Sequence, residues 1–196
     1  MTDSADPTLD RLSAALGDLP KRGTPPVERW HPEHCGTIDI RIAADGTWFH
    51  EGSPIRRPAL VKLFSTILRR EPDGSTVLVT PVERMTITVD DAPFVAVEMA
   101  VEGEAEARRI GFRTNVDDLV PLDDSHPLRF ERDGSGGLKP YVKVRGDLWA
   151  LLTRALTHEL MQLVEERRID GKPWFGLAAG GAFHAIMPSA ELEAVG

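Results

Sequence analysis

The strongest constraint on this chain is a pattern that occurs twice. Arg41–Gly46 reads RIAADG and Arg129–Gly134 reads RFERDG, a shift of 88 residues (129 − 41). Carried on without a gap, the shift places Arg57 on Arg145, Leu60 on Leu148, Leu63 on Leu151, Phe64 on Leu152 and Leu68 on Leu156. Asp-Gly favours a hairpin turn because both central positions accept positive φ, and the apolar residues beyond it recur at helical spacing. Each copy therefore reads as strand, Asp-Gly turn, strand, arginine, helix and two short strands. Such a repeat implies an α+β fold with a duplicated hairpin–helix–hairpin core. The expected organisation is an N-terminal helix and linker over 1–24, an N-terminal α+β domain over 25–91 and a C-terminal domain over 92–196.

Local signals fill in the pattern. Leu9, Leu12 and Leu16 space a short amphipathic helix over 8–16, and Pro20–Pro26 (PKRGTPP) breaks the chain as a linker. Ile38, Ile40 and Ile42 alternate with Asp39 and Arg41, the period of a half-buried strand, and a partner strand runs through Trp48 and His50. Pro58 suits the first position of a helix whose apolar face is Leu60, Leu63, Phe64, Ile67 and Leu68, with Pro72-Asp73-Gly74 ending it. Strands are expected at 76–80, 84–89, 94–101, 108–113 and 117–122, with the acidic tract Glu102–Glu106 as a solvated hairpin tip. His126–Arg132 pairs with Tyr141–Val144 across the turn Asp133–Gly137. A long helix capped by Asp147 then carries Leu148, Trp149, Leu151, Leu152, Leu156, Leu160 and Leu163, before closing strands at Trp174–Ala178 and Phe183–Met187.

Charge and composition exclude several classes of function. A net charge of −8 over 196 residues argues against general affinity for nucleic acid or anionic membrane, both of which need basic surface. No apolar run reaches the roughly 18 residues of a membrane span, and MTDSADPTLD at the start is acidic without the apolar stretch of a secretory signal. The single cysteine cannot form an internal disulfide, which fits a cytoplasmic protein.

Few motifs survive comparison with simpler explanations. RWHPEHCG, Arg29–Gly36, offers His31, His34 and Cys35 as metal ligands, with Glu33 or His50 as a fourth. Neighbouring His34 and Cys35 diverge on entering a strand, so a tight entry to Ile38–Ile42 with Trp30 on the core is the better reading. THELMQL places Gln162 where a zinc-binding His-Glu-x-x-His would need its second histidine, and His158 reads as flanking the core. The glycines around Ser135 are explained by a hairpin turn. Asp90-Asp91, Asp117-Asp118 and Asp123-Asp124 read mainly as turn caps, with Asp91 set apart because Ala92-Pro93-Phe94 fixes its direction. No cofactor motif occurs. The better signal lies with Arg57 and Arg145, each expected at a helix N-terminus. There the helix dipole disfavours a bare cation by about 0.3–1 kcal/mol and favours a bound anion.

GTIDIRIAADGTWFHEGSPIRRPALVKLFSTILRREPDG, LVTPVE, DDAPFVAVEM and FRTNVDD resemble the bacterial family catalogued as domain of unknown function 1285, over about Pro25 to Met187. The resemblance implies an α+β protein with a duplicated core and a C-terminal half like a pleckstrin-homology β-barrel with a closing helix. It also implies a pocket between the halves for a small anionic, nucleotide-like ligand, and a role in signalling with a protein partner. Residue by residue, it points to Trp48, Arg57, Thr80, Glu83, Asp91, Arg113, Thr114, Asn115, Tyr141 and Arg145 as ligand-binding positions, with Pro81, Pro93, Phe94 and Pro140 as structural ones. In that scheme the arginines hold the anion, Thr80 and Asn115 hydrogen-bond, and Trp48 or Tyr141 stacks on a base. Ser75-Thr76-Val77 departs from the family's wording, which has an aromatic before the strand. The implied protein is a non-enzymatic sensor; the alternatives are a protein-interaction module or a metal-dependent enzyme using the His31/His34/Cys35 region.

Overall fold

The computed structural model describes residues 24–104, 107–134 and 136–190. The helix expected over 8–16 lies outside the described residues. Two compact units emerge, the first ending at Pro93 and also taking in Gly146–Leu148, the second beginning at Phe94. Both are mostly β, and each contains one six-stranded curled sheet.

The N-terminal unit contains β1 (His34–Ile42), β2 (Trp48–His50), β3 (Ser53–Pro54), α1 (Pro58–Ser65), β4 (Leu68–Arg70), β5 (Thr76–Val79) and β6 (Arg84–Val89). Its sheet order is β3-β2-β1-β6-β5-β4, with β1 parallel to β6 and every other pair antiparallel. Alternation dictates the faces: Ile38, Ile40 and Ile42 are buried while Asp39 and Arg41 are exposed. At the first Asp-Gly turn, Gly46 has φ +84° and the Thr47 N–H donates to Asp45 Oδ1 at 2.9 Å.

Two expectations for this unit are corrected. The helix stops at Ser65 instead of running on to Leu68. The Ser65 and Thr66 hydroxyls donate to the carbonyls of Lys62 and Leu63, offering the backbone an exit from the helix. Leu68 is buried, but in β4. Pro72-Asp73-Gly74 accordingly ends no helix; it is the β4–β5 turn, where the Gly74 N–H donates to the Glu71 carbonyl and the Ser75 N–H to Asp73 Oδ1. Trp30 is only half-buried, and Val27 takes the core position instead.

The C-terminal unit opens with an antiparallel meander, β7 (Phe94–Glu102), β8 (Arg109–Thr114) and β9 (Leu119–Pro121). It continues with β10 (Leu128–Arg132), β11 (Leu138–Arg145), β12 (Leu148–Leu152) and α2 (Arg154–Met161), then β13 (Glu165–Ile169), β14 (Lys172–Ala179) and β15 (Ala182–Pro188). The main sheet runs β10-β11-β12-β7-β8-β9, with β12 parallel to β7, and the last three strands form a sheet of their own.

The expected long helix from Asp147 is the largest correction. Leu148–Leu152 is a strand: Leu148, Ala150 and Leu152 are buried while Trp149 and Leu151 are half-exposed, a period of two. A short apolar run fits helix and strand equally well, and here the parallel partner β7 decides. The helix starts only at Arg154, capped by Thr153, whose side chain accepts the Leu156 N–H. The helix ends at Met161, short of Leu163, and β13 is a strand with no counterpart among the expected elements. His158 is exposed and not against the core.

The duplication therefore takes a different register. Both units run three strands, a helix and three strands, β1–β6 with α1 and β10–β15 with α2. In the fold the first hairpins of the two copies correspond at a shift of 90 residues (136 − 46), with Gly46 and Gly136 both at φ +84°. The helices correspond at 96, because α1 and α2 start at Pro58 and Arg154 (154 − 58). Arg57 caps a helix, whereas Arg145 ends a strand, so the helix-dipole argument applies to Arg57 alone.

Candidate functional site

Within the N-terminal unit, Arg57 is the N-cap of α1 with extended backbone (φ −102°, ψ 96°). No side chain caps this helix and its first turn has no acidic residue. Arg57 is exposed, and its guanidinium makes no hydrogen bond or ion pair among the described residues. A cationic residue therefore stands at the start of a helix whose first turn carries no acidic side chain.

The other expected contacts of this unit serve the fold. Trp48 is 1% exposed, so its ring offers no face to solvent. Thr80 is fully buried, and its hydroxyl accepts the N–H groups of Val82 and Glu83 at 3.3 and 3.0 Å, closing the β5–β6 turn. Glu83 returns its carbonyl to the Thr80 N–H at 2.8 Å. Asp91 is half-buried and already engaged. Its neighbour Asp90 accepts a forked pair of bonds from Arg41 at 2.5–3.1 Å, which holds its carboxyl below the usual range.

Within the C-terminal unit, Arg113, Thr114, Asn115 and Arg145 do come together, around the β8–β9 turn. Thr114, fully buried, accepts the N–H groups of Val116 and Asp118 at 3.3 and 3.0 Å. Asn115 clamps Val95 from both sides, its Oδ1 accepting the Val95 N–H and its own N–H donating to the Val95 carbonyl. Arg145 donates to Asp118 at 2.9 Å and lies over the Phe94 ring at 5.0 Å. Arg113 forks onto Glu98 and reaches Asp117 at 2.7 Å. The bond to Glu98, and after it the one to Asp117, raises the Arg113 pKa above its ordinary value; the same bond lowers Glu98. These arginines are thus neutralised by carboxylates of the chain. Tyr141 is 1% exposed, with Arg129 packed over its ring at 4.8 Å.

RWHPEHCG leads directly into β1. His34 and Cys35 are already in β1; His34 Nε2 lies 3.0 Å from Thr86 Oγ1 and the Cys35 thiol faces the Glu33 carbonyl at 3.4 Å. Among the described residues no group of three or more His, Cys, Asp and Glu is placed to hold a metal ion. Nor is either helix long and apolar enough to cross a membrane.

Two features escaped the sequence reading. Arg69, 6% exposed, pairs with Glu71 at 2.6 Å and donates to the Val27 and Trp30 carbonyls at 2.7 Å, while Glu71 also holds Arg84 at 3.2 Å. The pattern Arg69-x-Glu71-x12-Arg84 has no periodic signature, because β4 was hidden in a longer expected helix. The second is a groove of about 720 Å3 in the C-terminal unit, between α2 and the start of β11. Arg154, Thr157, His158 and Met161 line it at i, i+3, i+4 and i+7, a signal present in the sequence but obscured by the misplaced helix start.

Comparison with known proteins agrees with this division. The N-terminal domain of DUF1285 matches residues 25–92 and its C-terminal domain matches 93–186; both are described as being of unknown function. A crystal structure of a DUF1285 family protein from Silicibacter pomeroyi DSS-3 is 45% identical, covers 93% of this chain and 97% of its own, and superposes with a TM-score of 0.82. A second, from Shewanella baltica OS155, is 23% identical over 63% of this chain and 90% of its own with a TM-score of 0.50, a likeness of fold. No curated protein matches the chain.

Proposed function

The chain belongs to the DUF1285 family, and from that premise we infer that it is a non-enzymatic regulator that binds a small anionic, nucleotide-like ligand in bacterial signalling. The observation that carries the reading is Arg57: an exposed guanidinium at an uncapped helix N-terminus, without a carboxylate partner among the described residues. The guanidinium and the dipole of the helix start both favour an anion such as phosphate. Pro58 has no N–H, and the Leu60 and Val61 N–H groups donate to the Arg57 carbonyl, so the guanidinium supplies the main contact. Arg145 and Arg113 contribute differently from the sequence expectation. Their carboxylate partners would have to yield before either could bind an anion, so they are gating contacts. On this reading the curled C-terminal sheet with α2 follows a pleckstrin-homology-like plan that presents the signal to a partner.

Thermal-shift screening of nucleoside phosphates on wild-type protein and Arg57→Ala tests the reading. A ligand at a hundred times its dissociation constant adds about 2.7 kcal/mol, which at this chain length raises Tm by roughly 5–10 °C. Arg57→Ala should lose most of that rise. Absence of stabilisation by every phosphate-bearing ligand sinks it. The exposed edge β9, with Leu119 79% exposed, favours a second reading as a protein-interaction module through strand addition.

A further inference from the structure

We propose that the groove between α2 and β11 is a second binding site, for a small organic anion with an apolar body. Its volume, about 720 Å3, lies within the range of small-molecule pockets, roughly 300–1,000 Å3. One wall is the face of α2 that carries Arg154, Thr157, His158 and Met161; the other is the start of β11, with Lys139. Leu160 and Leu156 on the opposite face of α2 are buried, so the lining face is not the one that anchors the helix.

Charge selects the occupant. Arg154 and Lys139 line the groove against the single carboxylate of Asp133. The Lys139 ammonium lies 5.6 Å from the Tyr141 ring and His158 Nε2 is 3.1 Å from the Gln162 amide nitrogen, so Arg154 is the principal cation. Asp133 Oδ1 already accepts the Gly137 N–H at 2.7 Å, and its backbone N–H closes the turn onto the Gly137 carbonyl. Arg154 is exposed and makes no ion pair among the described residues. In a chain of net charge −8 this is a local reversal of sign. Leu138, Pro140, Leu151 and Met161 supply apolar surface beside the cations, which a bare inorganic ion would leave uncovered. A helix of eight residues is only about 12 Å long, which fits a small molecule better than a folded partner. The site shares no residue with the Arg57 contact, so each can fail without the other.

The test is a 15N NMR titration of the full chain with 8-anilinonaphthalene-1-sulfonate, AMP and inorganic phosphate. The aryl sulfonate and AMP should give saturable shifts at the amides of Lys139, Leu151, Arg154, Thr157 and His158, with phosphate alone binding more weakly. Arg154→Ala should weaken binding about fivefold, the size of a partly exposed ion pair, and Arg154→Glu should weaken it further. Arg109→Ala, an exposed arginine of the same unit, should change nothing. Shifts that map elsewhere, or wild-type affinity in Arg154→Glu, overturn the proposal. Phosphate binding as tightly as AMP overturns the apolar part of it. Tighter binding of an acidic decapeptide than of either organic anion overturns it in favour of a peptide groove.

Discussion

The two units spell out the same order of elements and complete it with different partners. In the N-terminal unit the first strand of the copy pairs with the last, β1 with β6, so one sheet holds all six strands. In the C-terminal unit the third strand, β12, pairs instead with β7, which belongs to the preceding meander. β10 and β15, the counterparts of β1 and β6, approach each other but remain in separate sheets. The arginines diverge in the same way. Arg57 and Arg145 coincide only under the 88-residue shift of the sequence (145 − 57). In the fold Arg57 is the N-cap of α1, the place that Thr153 takes at α2, while Arg145 ends β11 and is held by Asp118 beside Phe94. Local sequence sets the order of elements; the availability of a competing edge sets which edges join.

The largest expected effect probes what is peculiar to the N-terminal unit. Arg69→Ala removes the guanidinium that the Val27 and Trp30 carbonyls share and leaves Glu71 with Arg84 alone. Breaking a buried pair from one side costs about 3 kcal/mol or more. Urea denaturation should show it, and a loss under 1 kcal/mol would mean that this network does not pin the N-terminal segment. A smaller effect probes what the units share. Thr80→Val and Thr114→Val each strip a fully buried hydroxyl that accepts two backbone N–H groups, so both should cost about 1–3 kcal/mol, and similar amounts. A clear inequality would show that the two turns are not equivalent. The smallest is electrostatic. Glu98 is depressed chiefly by its hydrogen bond from Arg113, so that pair contributes stability above the ordinary glutamate value and loses it as pH falls through the folded value. Side-chain carboxyl NMR should find Glu98 titrating low in wild type and returning toward normal in Arg113→Ala; an unchanged midpoint refutes the pair's role.

How much was legible in the sequence differs between these regions for the same reason. Ile38–Ile42, Trp48 and the Asp-Gly turn were readable because alternation and turn chemistry act within a few residues. Leu148–Leu152 was misread because an apolar run of that length takes its state from a neighbour, and the neighbour, β7, lies more than 50 residues away in sequence. The candidate site divides likewise. The positions of Arg113, Thr114, Asn115 and Arg145 near one another follow from family wording, but their engagement by Glu98, Asp117, Asp118 and Val95 is a product of strand register. Arg69 and Arg154 went unmarked since each needed the correct helix boundary before its surroundings could be reasoned about.

The separate sheet of β13–β15 changes how the C-terminal unit breathes. Its strands bond to one another and to no strand of the β7–β12 sheet, and single links such as the Gly180 N–H to the Arg108 carbonyl tie it down. Opening it therefore breaks few backbone bonds beyond its own edges, and its main cost is exposing Leu177, Ala178 and Ala179 of β14. Amide protons of residues 165–188 can exchange with solvent in a sub-global step while those of the larger sheet stay protected. The N-terminal unit, whose corresponding strands share one continuous ladder, has no such seam to open along.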